Sequence, residues 1–332
     1  MSPASLPAAS NALRDIQAPV RDALDQVAEE MWRIVSADNP LITDVNRHLM
    51  LMKGKMVRPT LLLLSSAVDE TSEPRATALA AVAELIHLAT LVHDDAVDHS
   101  VLRRGMPTIN ALFTHQVSVI MGDFLYSRAL TELVRLGDLE ALRAFTNATN
   151  ELTLGEMRQL AAVDALAFSE DDYDALIGAK TASLFAASCE VGALCGARRW
   201  RRELMRFGLR LGMAFQVADD LLDYTASHEV TGKPSGLDLR EHKVTLPLIA
   251  ALRVVTPASR ARIEALFAAP SPSDEQIAEV VEIVRDAGGL EYARRRGADF
   301  AQEAEEALHA LPDSPVRVAL LDTIGYVMER RS

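Results

Sequence analysis

A chain of 332 residues, 49% of them hydrophobic and 24% charged, carries enough apolar material for one large buried core. Its formal net charge of −13 argues against nucleic acid or an anionic membrane as a general electrostatic partner. The opening stretch "MSPASLPAASNALRDIQ" lacks a basic start and an apolar segment of signal-peptide type, and no charge-free run of 18 apolar residues marks a transmembrane helix. Cys189 and Cys195 sit in the apolar stretch "LFAASCEVGALCGA" without zinc spacing. They read as reduced core residues, and the chain as a cytoplasmic protein with no integral membrane segment.

Residues 1–10 read as a loose tail and 11–332 as one all-α domain. Helical periodicity covers 11–36, 42–53, 56–69, 74–98, 108–136, 138–164, 170–196, 199–227, 244–255, 258–268, 274–287, 289–310 and 315–330, a bundle of about ten to thirteen helices. No proline occurs between Pro107 and Pro234, and strand-type alternation is nearly absent. Segments 74–98, 108–136 and 199–227 are apolar over much of their circumference, as expected in the middle of a bundle.

Two of these helices end in carboxylates. Positions i, i+1 and i+4 of a helix fall within a wedge of about 100°. Asp94, Asp95 and Asp98 therefore share one face, and so do Asp219, Asp220 and Asp223. Either cluster alone also reads as a solvated acidic turn. Two such clusters beside the apolar "LIHLATLV" and "GMAFQV" must take up protons or hold cations, because neighbouring carboxylates about 4 Å apart repel by roughly 4 kcal/mol at an effective dielectric of 20. Oxygen donors alone favour magnesium completed by substrate phosphates. The chain has only five lysines, and four lie in distinct contexts: Lys55 in "GKMVRP", Lys180 in "AKTASLF", Lys233 in "TGKPSG" and Lys243 in "EHKVTLPL". Arg103 and Arg104 follow the first cluster; Lys233 and Lys243 follow the second. Cations gathered beside aspartates point to a metal-bridged polyphosphate site.

These residues resemble the trans-isoprenyl diphosphate synthases, or polyprenyl synthetases, over roughly residues 45 to 330. The elements "GKMVRP", "ELIHLATLVHDDAVDHSVLRRGMPTIN", "GDFLYSRA", "GEMRQL", "KTASLFAAS" and "GMAFQVADDLLDYTASHEVTGKPSGLDLREHKVTLPLI" come in that family's order. The resemblance implies the isoprenoid synthase fold, with a deep central cavity, and a homodimer. It implies head-to-tail condensation of isopentenyl diphosphate with an allylic diphosphate (dimethylallyl, geranyl or farnesyl), with three magnesium ions when substrate is bound. The six aspartates correspond to metal ligands. Arg103, Lys180, Thr181, Gln216, Lys233 and Lys243 correspond to contacts with the allylic diphosphate. Lys55, Arg58, His87 and Arg104 correspond to the isopentenyl diphosphate pocket.

Bland readings stand beside these: Arg58 as a helix cap, His87 as a core histidine, Gln216 as a brace, Thr181 bonded to its own helix. His99, after the first cluster, and His242, where glycine is common, depart from the family pattern. Ala89 and Thr90, a turn before Asp94, leave the path of the growing chain open, and Ile86, Leu85 and Val82 continue it. Short-chain members of the family that the chain resembles close that level with an aromatic side chain, so Ala89 implies a long product, about seven to nine isoprene units. A stop near Met121 or Leu125 would give the geranylgeranyl or farnesyl product instead. Rival readings are a class I terpene cyclase, a regulatory subunit of a heteromeric synthase, and a di-metal carboxylate bundle using Glu84–His87 and Glu306–His309.

Overall fold

Side-chain caps start several helices of the computed structural model, which describes residues 8–52, 54–103, 105–161, 165–225 and 236–329. The chain runs through α1 (Ala8–Gln17), α2 (Arg21–Val35), α3 (Pro40–Leu51), α4 (Val57–Ser66), α5 (Arg75–Val97), α6 (Ile109–Leu112), α7 (His115–Leu136), α8 (Leu139–Ala161), α9 (Glu170–Ile177), α10 (Ser183–Leu194) and α11 (Arg201–Thr225). Asn39 accepts from the Ile42 amide and Pro40 starts α3; Thr114 accepts from Val117 and starts α7. Ser169 and Asp172 form a reciprocal capping box on α9. The last part of the chain adds a short turn at Leu237–Arg240 and helices Leu246–Leu252, Pro257–Ala268, Asp274–Asp286, Gly289–Leu308 and Pro315–Met328.

The helix α5 is buried on nearly every side from Ala78 to Ile86 and packs against α2, α4, α7 and α10. By length and composition it is apolar enough to cross a membrane, but 67% of that window is buried inside the protein. That is the signature of a central bundle helix. Each fully buried Leu or Ile here contributes about 1.5–3 kcal/mol, so a charge at Leu85 would unseat the element that carries the first acidic cluster. One core cluster runs from Ile16 to Val327, and a smaller one joins Tyr224, Leu239, Leu248, Ile263, Val280 and Leu290.

Four features depart from the periodic reading. The segment 11–36 is broken at Ala18–Val20, where Pro19 forces a 3-10 turn. The segment 108–136 is broken at Phe113–Thr114 by the Thr114 cap. A two-stranded ribbon pairs Leu102–Arg103 with Met106–Pro107, too short to show alternation in sequence. The segment 170–196 contains a π-helical turn at Gly178–Ala182. The expected domain start at residue 11 falls inside α1, and residues 1–7 lie outside the described residues.

Candidate active site

The C-terminal end of α5 opens onto a cavity of about 580 Å³. Asp98 still donates its amide to the Asp94 carbonyl at 2.8 Å, so the helical spacing holds through the acidic cluster. Asp94 and Asp98 line the cavity, with Thr90, Ala89 and Ile86 below them on the same wall. Leu85 and Val82, expected to continue that wall, are fully buried in the core and do not line it. On α7, Tyr126 faces the cavity, whereas the expected stops Met121 and Leu125 are buried in the core.

Asp95 points elsewhere. Both of its oxygens lie 2.9 Å from Nε of Arg103, which the short ribbon delivers. Gly105, with φ 75°, closes the turn of that ribbon in a conformation only glycine adopts freely. Arg104 lies outside the described residues.

On α11, Asp219 is solvent-exposed and Asp220 is buried. The Tyr173 hydroxyl donates to one Asp220 oxygen at 2.6 Å, and Gln216 Nε2 donates to the other at 2.8 Å. The Thr181 hydroxyl in turn donates to Gln216 Oε1 at 2.7 Å. Thr181 and Gln216 thus stand behind the cavity wall, occupied with one another. Asp223 accepts from the amides of Leu237 and Asp238, both at 3.0 Å, and so caps the turn at 237–240.

The π turn presents Lys180. Its defining bond runs from the Ser183 amide to the Gly178 carbonyl, a widened turn common at functional sites. Lys180 lines the cavity 2.6 Å from Glu156 Oε1. At Gly212 of α11 a Cβ would lie 2.5 Å from Ala182 Cα, so glycine lets α11 press its backbone against this turn. Lys243 enters from the opposite wall, 2.7 Å from Glu241 and 3.8 Å from Asp98. Lys233 lies outside the described residues.

Lys55 and Arg58 flank the start of α4. The Lys55 ammonium lies 5.8 Å from the Tyr326 ring centroid, and the Arg58 guanidinium lies 4.9 Å from that of Phe185. Met56 between them holds φ 52°, a left-handed conformation uncommon for a side-chain-bearing residue. His87 is half-buried on α5. Lys55, Arg58 and His87 do not line the main cavity.

Several carboxyls of the site are raised above the ordinary carboxylate range, first of all by burial. Burial pushes Asp94 up to about 6, against the pull of Lys180. Burial, with Asp223 adding to it, pushes Asp238 up to about 7. Asp220 and Asp223 are raised by the same desolvation. Among the described residues no three His, Cys, Asp or Glu side chains form a ready-made metal cage. The donor set fits a hard divalent cation held by one or two carboxylates and completed by phosphate oxygens. Three residues of the site had no assigned part in the sequence reading. Glu156 lay in the quoted "GEMRQL" element without a role, and His93 stood beside Asp94. Tyr173 carried no sequence signal at all.

The sequence model of the polyprenyl synthetase family matches residues 39–284. The chain belongs to the polyprenyl synthetase family. Among its relatives, the all-trans-nonaprenyl-diphosphate synthase (geranyl-diphosphate specific) of Rhodobacter capsulatus is 40% identical over 322 residues, 96% of this chain and 98% of the relative. The octaprenyl diphosphate synthase of Escherichia coli (strain K12) is 38% identical over 300 residues, 89% of this chain and 92% of the relative. The polyprenyl synthase of Caulobacter crescentus CB15, solved in complex with calcium and isoprenyl diphosphate, superposes with a TM-score of 0.91 at 32% identity, covering 96% of this chain and 98% of that one. As a polyprenyl synthetase the chain is a prenyltransferase with the isoprenoid synthase fold. Membership also sets aside the ferritin-type reading: Glu306 is a half-exposed side chain on the outer helix Gly289–Leu308.

Proposed function

We propose that the chain joins isopentenyl diphosphate head to tail to an allylic diphosphate, with magnesium, and repeats the step to an all-trans product of about seven to nine isoprene units. The length rests on the long-chain names of the relatives, nonaprenyl and octaprenyl. The α5 wall leaves the start of such a path open: from Asp94 to Ile86 it is lined by Thr90, Ala89 and Ile86, about 12 Å at 1.5 Å per residue, the span of about two to three extended units. A geranylgeranyl or farnesyl product is the alternative, since Tyr126 also faces the cavity.

In this reading the allylic C–O bond breaks and the diphosphate departs with the bonding electrons. The double bond of isopentenyl diphosphate attacks the resulting cation, and the diphosphate takes the proton that is lost. Magnesium supplies charge stabilisation of the departing diphosphate when bound. Asp94 and Asp98, which line the cavity, and Asp219, exposed on α11, are carboxylates that would hold it. Asp95, Asp220 and Asp223 are the further ligands, their oxygens oriented by Arg103, by Tyr173 and Gln216, and by two amides. Lys180 and Lys243, with Arg103 and Lys233, bind the allylic diphosphate; Lys55, Arg58, His87 and Arg104 bind the isopentenyl diphosphate. The apolar lower wall excludes water from the cation.

We further infer one catalytic domain, acting as a homodimer in the cytoplasm. Exposed apolar side chains on α7 and α8, among them Ile120, Val134, Leu139 and Leu154, support self-association. Two buried free thiols, Cys189 and Cys195, each pushed up to about 12 by burial, suit a reducing compartment. The test is product analysis after incubation with magnesium, isopentenyl diphosphate and farnesyl diphosphate. Chains longer than twenty carbons support the proposal; farnesyl or geranylgeranyl diphosphate as the end product replaces it with the alternative.

A further inference from the structure

Behind the cavity wall runs a chain of three hydrogen bonds that the condensation itself does not use. Tyr173, in the first turn of α9, is 2% exposed, and its hydroxyl donates to Asp220 Oδ2. Asp220 Oδ1 accepts from Gln216, and Gln216 accepts from Thr181. None of the four lines the cavity. Yet each end of the chain adjoins a residue of the site in sequence: Asp220 follows Asp219 on α11, and Thr181 follows Lys180 in the π turn.

Two separate devices therefore join α11 to the π turn. The close approach at Gly212 and Ala182 sets their distance. The Tyr173–Asp220–Gln216–Thr181 chain ties α11 to α9 and to the turn at a second place. A buried carboxylate costs desolvation that a well-packed apolar pair would avoid, so its presence one residue behind the site calls for a role beyond packing. Partners that orient metal ligands from behind commonly carry such a role.

We propose that Tyr173 is a positioning residue for the diphosphate site. Acting through Asp220 and Gln216, it fixes the spacing between the Asp219 carboxylate and the Lys180 ammonium, the two groups that a metal-bound diphosphate has to bridge. This rests on the roles given above to Asp219 and Lys180.

Tyr173→Phe keeps the ring and removes only the hydroxyl. Binding of magnesium with inorganic pyrophosphate, measured by calorimetry, should weaken about tenfold, the low end of the loss seen when such supporting partners are removed. The magnesium concentration giving half-maximal turnover should rise in parallel. The KM for isopentenyl diphosphate at saturating magnesium should not change, and the melting temperature should fall by a few degrees at most. Thr181→Val breaks the far end of the same chain and should act in the same direction; it carries the test alone if Tyr173→Phe does not fold. Parent-like pyrophosphate binding in the folded variant overturns the proposal. So does a loss shared equally by pyrophosphate binding, isopentenyl KM and melting, which would mark a purely structural tyrosine. Asp219→Ala separates the two levels. If it leaves the magnesium titration unchanged, the site reading itself fails; if it abolishes the response while Tyr173→Phe does nothing, only the role of Tyr173 fails.

Discussion

Placing phenylalanine at Ala89 should convert the enzyme into a short-chain synthase. Ala89 is 3% exposed and lines the cavity, so a larger side chain there can extend only into the space the product needs or into the packed core. Its level on α5 lies five residues before Asp94, about 7.5 Å along the axis. An extended isoprene unit spans about 5 Å, four carbon–carbon bonds of about 1.5 Å projected on the chain direction. A ring across the cavity at that level therefore meets the hydrocarbon after one to two units beyond the diphosphate, and the main product should shrink to about two units. Ile86→Phe acts one turn lower, about 4.5 Å further, and should give a product about one unit longer than Ala89→Phe does. The assay is chromatography of dephosphorylated products from labelled isopentenyl diphosphate, with total incorporation as the control for retained condensation. A parent-like distribution from Ala89→Phe would refute the path along α5. So would a shorter product from Ile86→Phe than from Ala89→Phe, since it reverses the direction of growth.

Arg58→Ala should raise the KM for isopentenyl diphosphate by about tenfold or more, as loss of a charge-assisted contact of about 1.5–3 kcal/mol requires, while the allylic KM moves less; the reverse ranking would mean that the two pockets are exchanged. Glu132, buried on α7, is held between Arg135 and Arg33, which lower its carboxyl below the usual range, and Glu132→Gln should cost about 1–2 kcal/mol in urea unfolding at pH 7. Because its folded pKa is depressed, that contribution is complete above the unfolded value, about 4.5, and fades as pH falls through the folded one. The gap between parent and variant should therefore close in strong acid, and a gap that persists there would assign it to packing. His242 holds φ 55° and its Nε2 lies 3.0 Å from the Ala269 carbonyl. His242→Gly and His242→Ala both lose that contact, but only glycine relieves the left-handed backbone, so the glycine variant should unfold about 1 kcal/mol harder than the alanine variant; equal stability would show that the position is unstrained.

The helical spacing of the aspartates was legible because it depends on local geometry alone. Which partners engage their oxygens was not, because those come from distant segments: Arg103 for Asp95, Tyr173 for Asp220, the 237–238 amides for Asp223. Nothing in the spacing of 219, 220 and 223 separates an exposed carboxylate from two anchored ones. Ala89, Thr90 and Ile86 were placed correctly on the cavity wall, since a helix face is periodic. Leu85 was misplaced by one position, an angle of about 100° that carries it into the core. The unusual histidine at 242 was visible as a departure from glycine, and its left-handed φ now supplies the physical reason that glycine suits the position.

The widened turn at Gly178–Ala182 holds one residue more than an α-helical turn would, and it absorbs that surplus within a single turn. Deleting one residue from it would let α9 and α10 fuse into one regular rod with their outward faces still in phase. Tyr173 would keep its side toward Asp220, and Glu170 its side toward Tyr292 and Arg253. What would disappear is the bulged backbone that carries Lys180 into the cavity. A one-residue deletion here should therefore spare the fold and strike the diphosphate site.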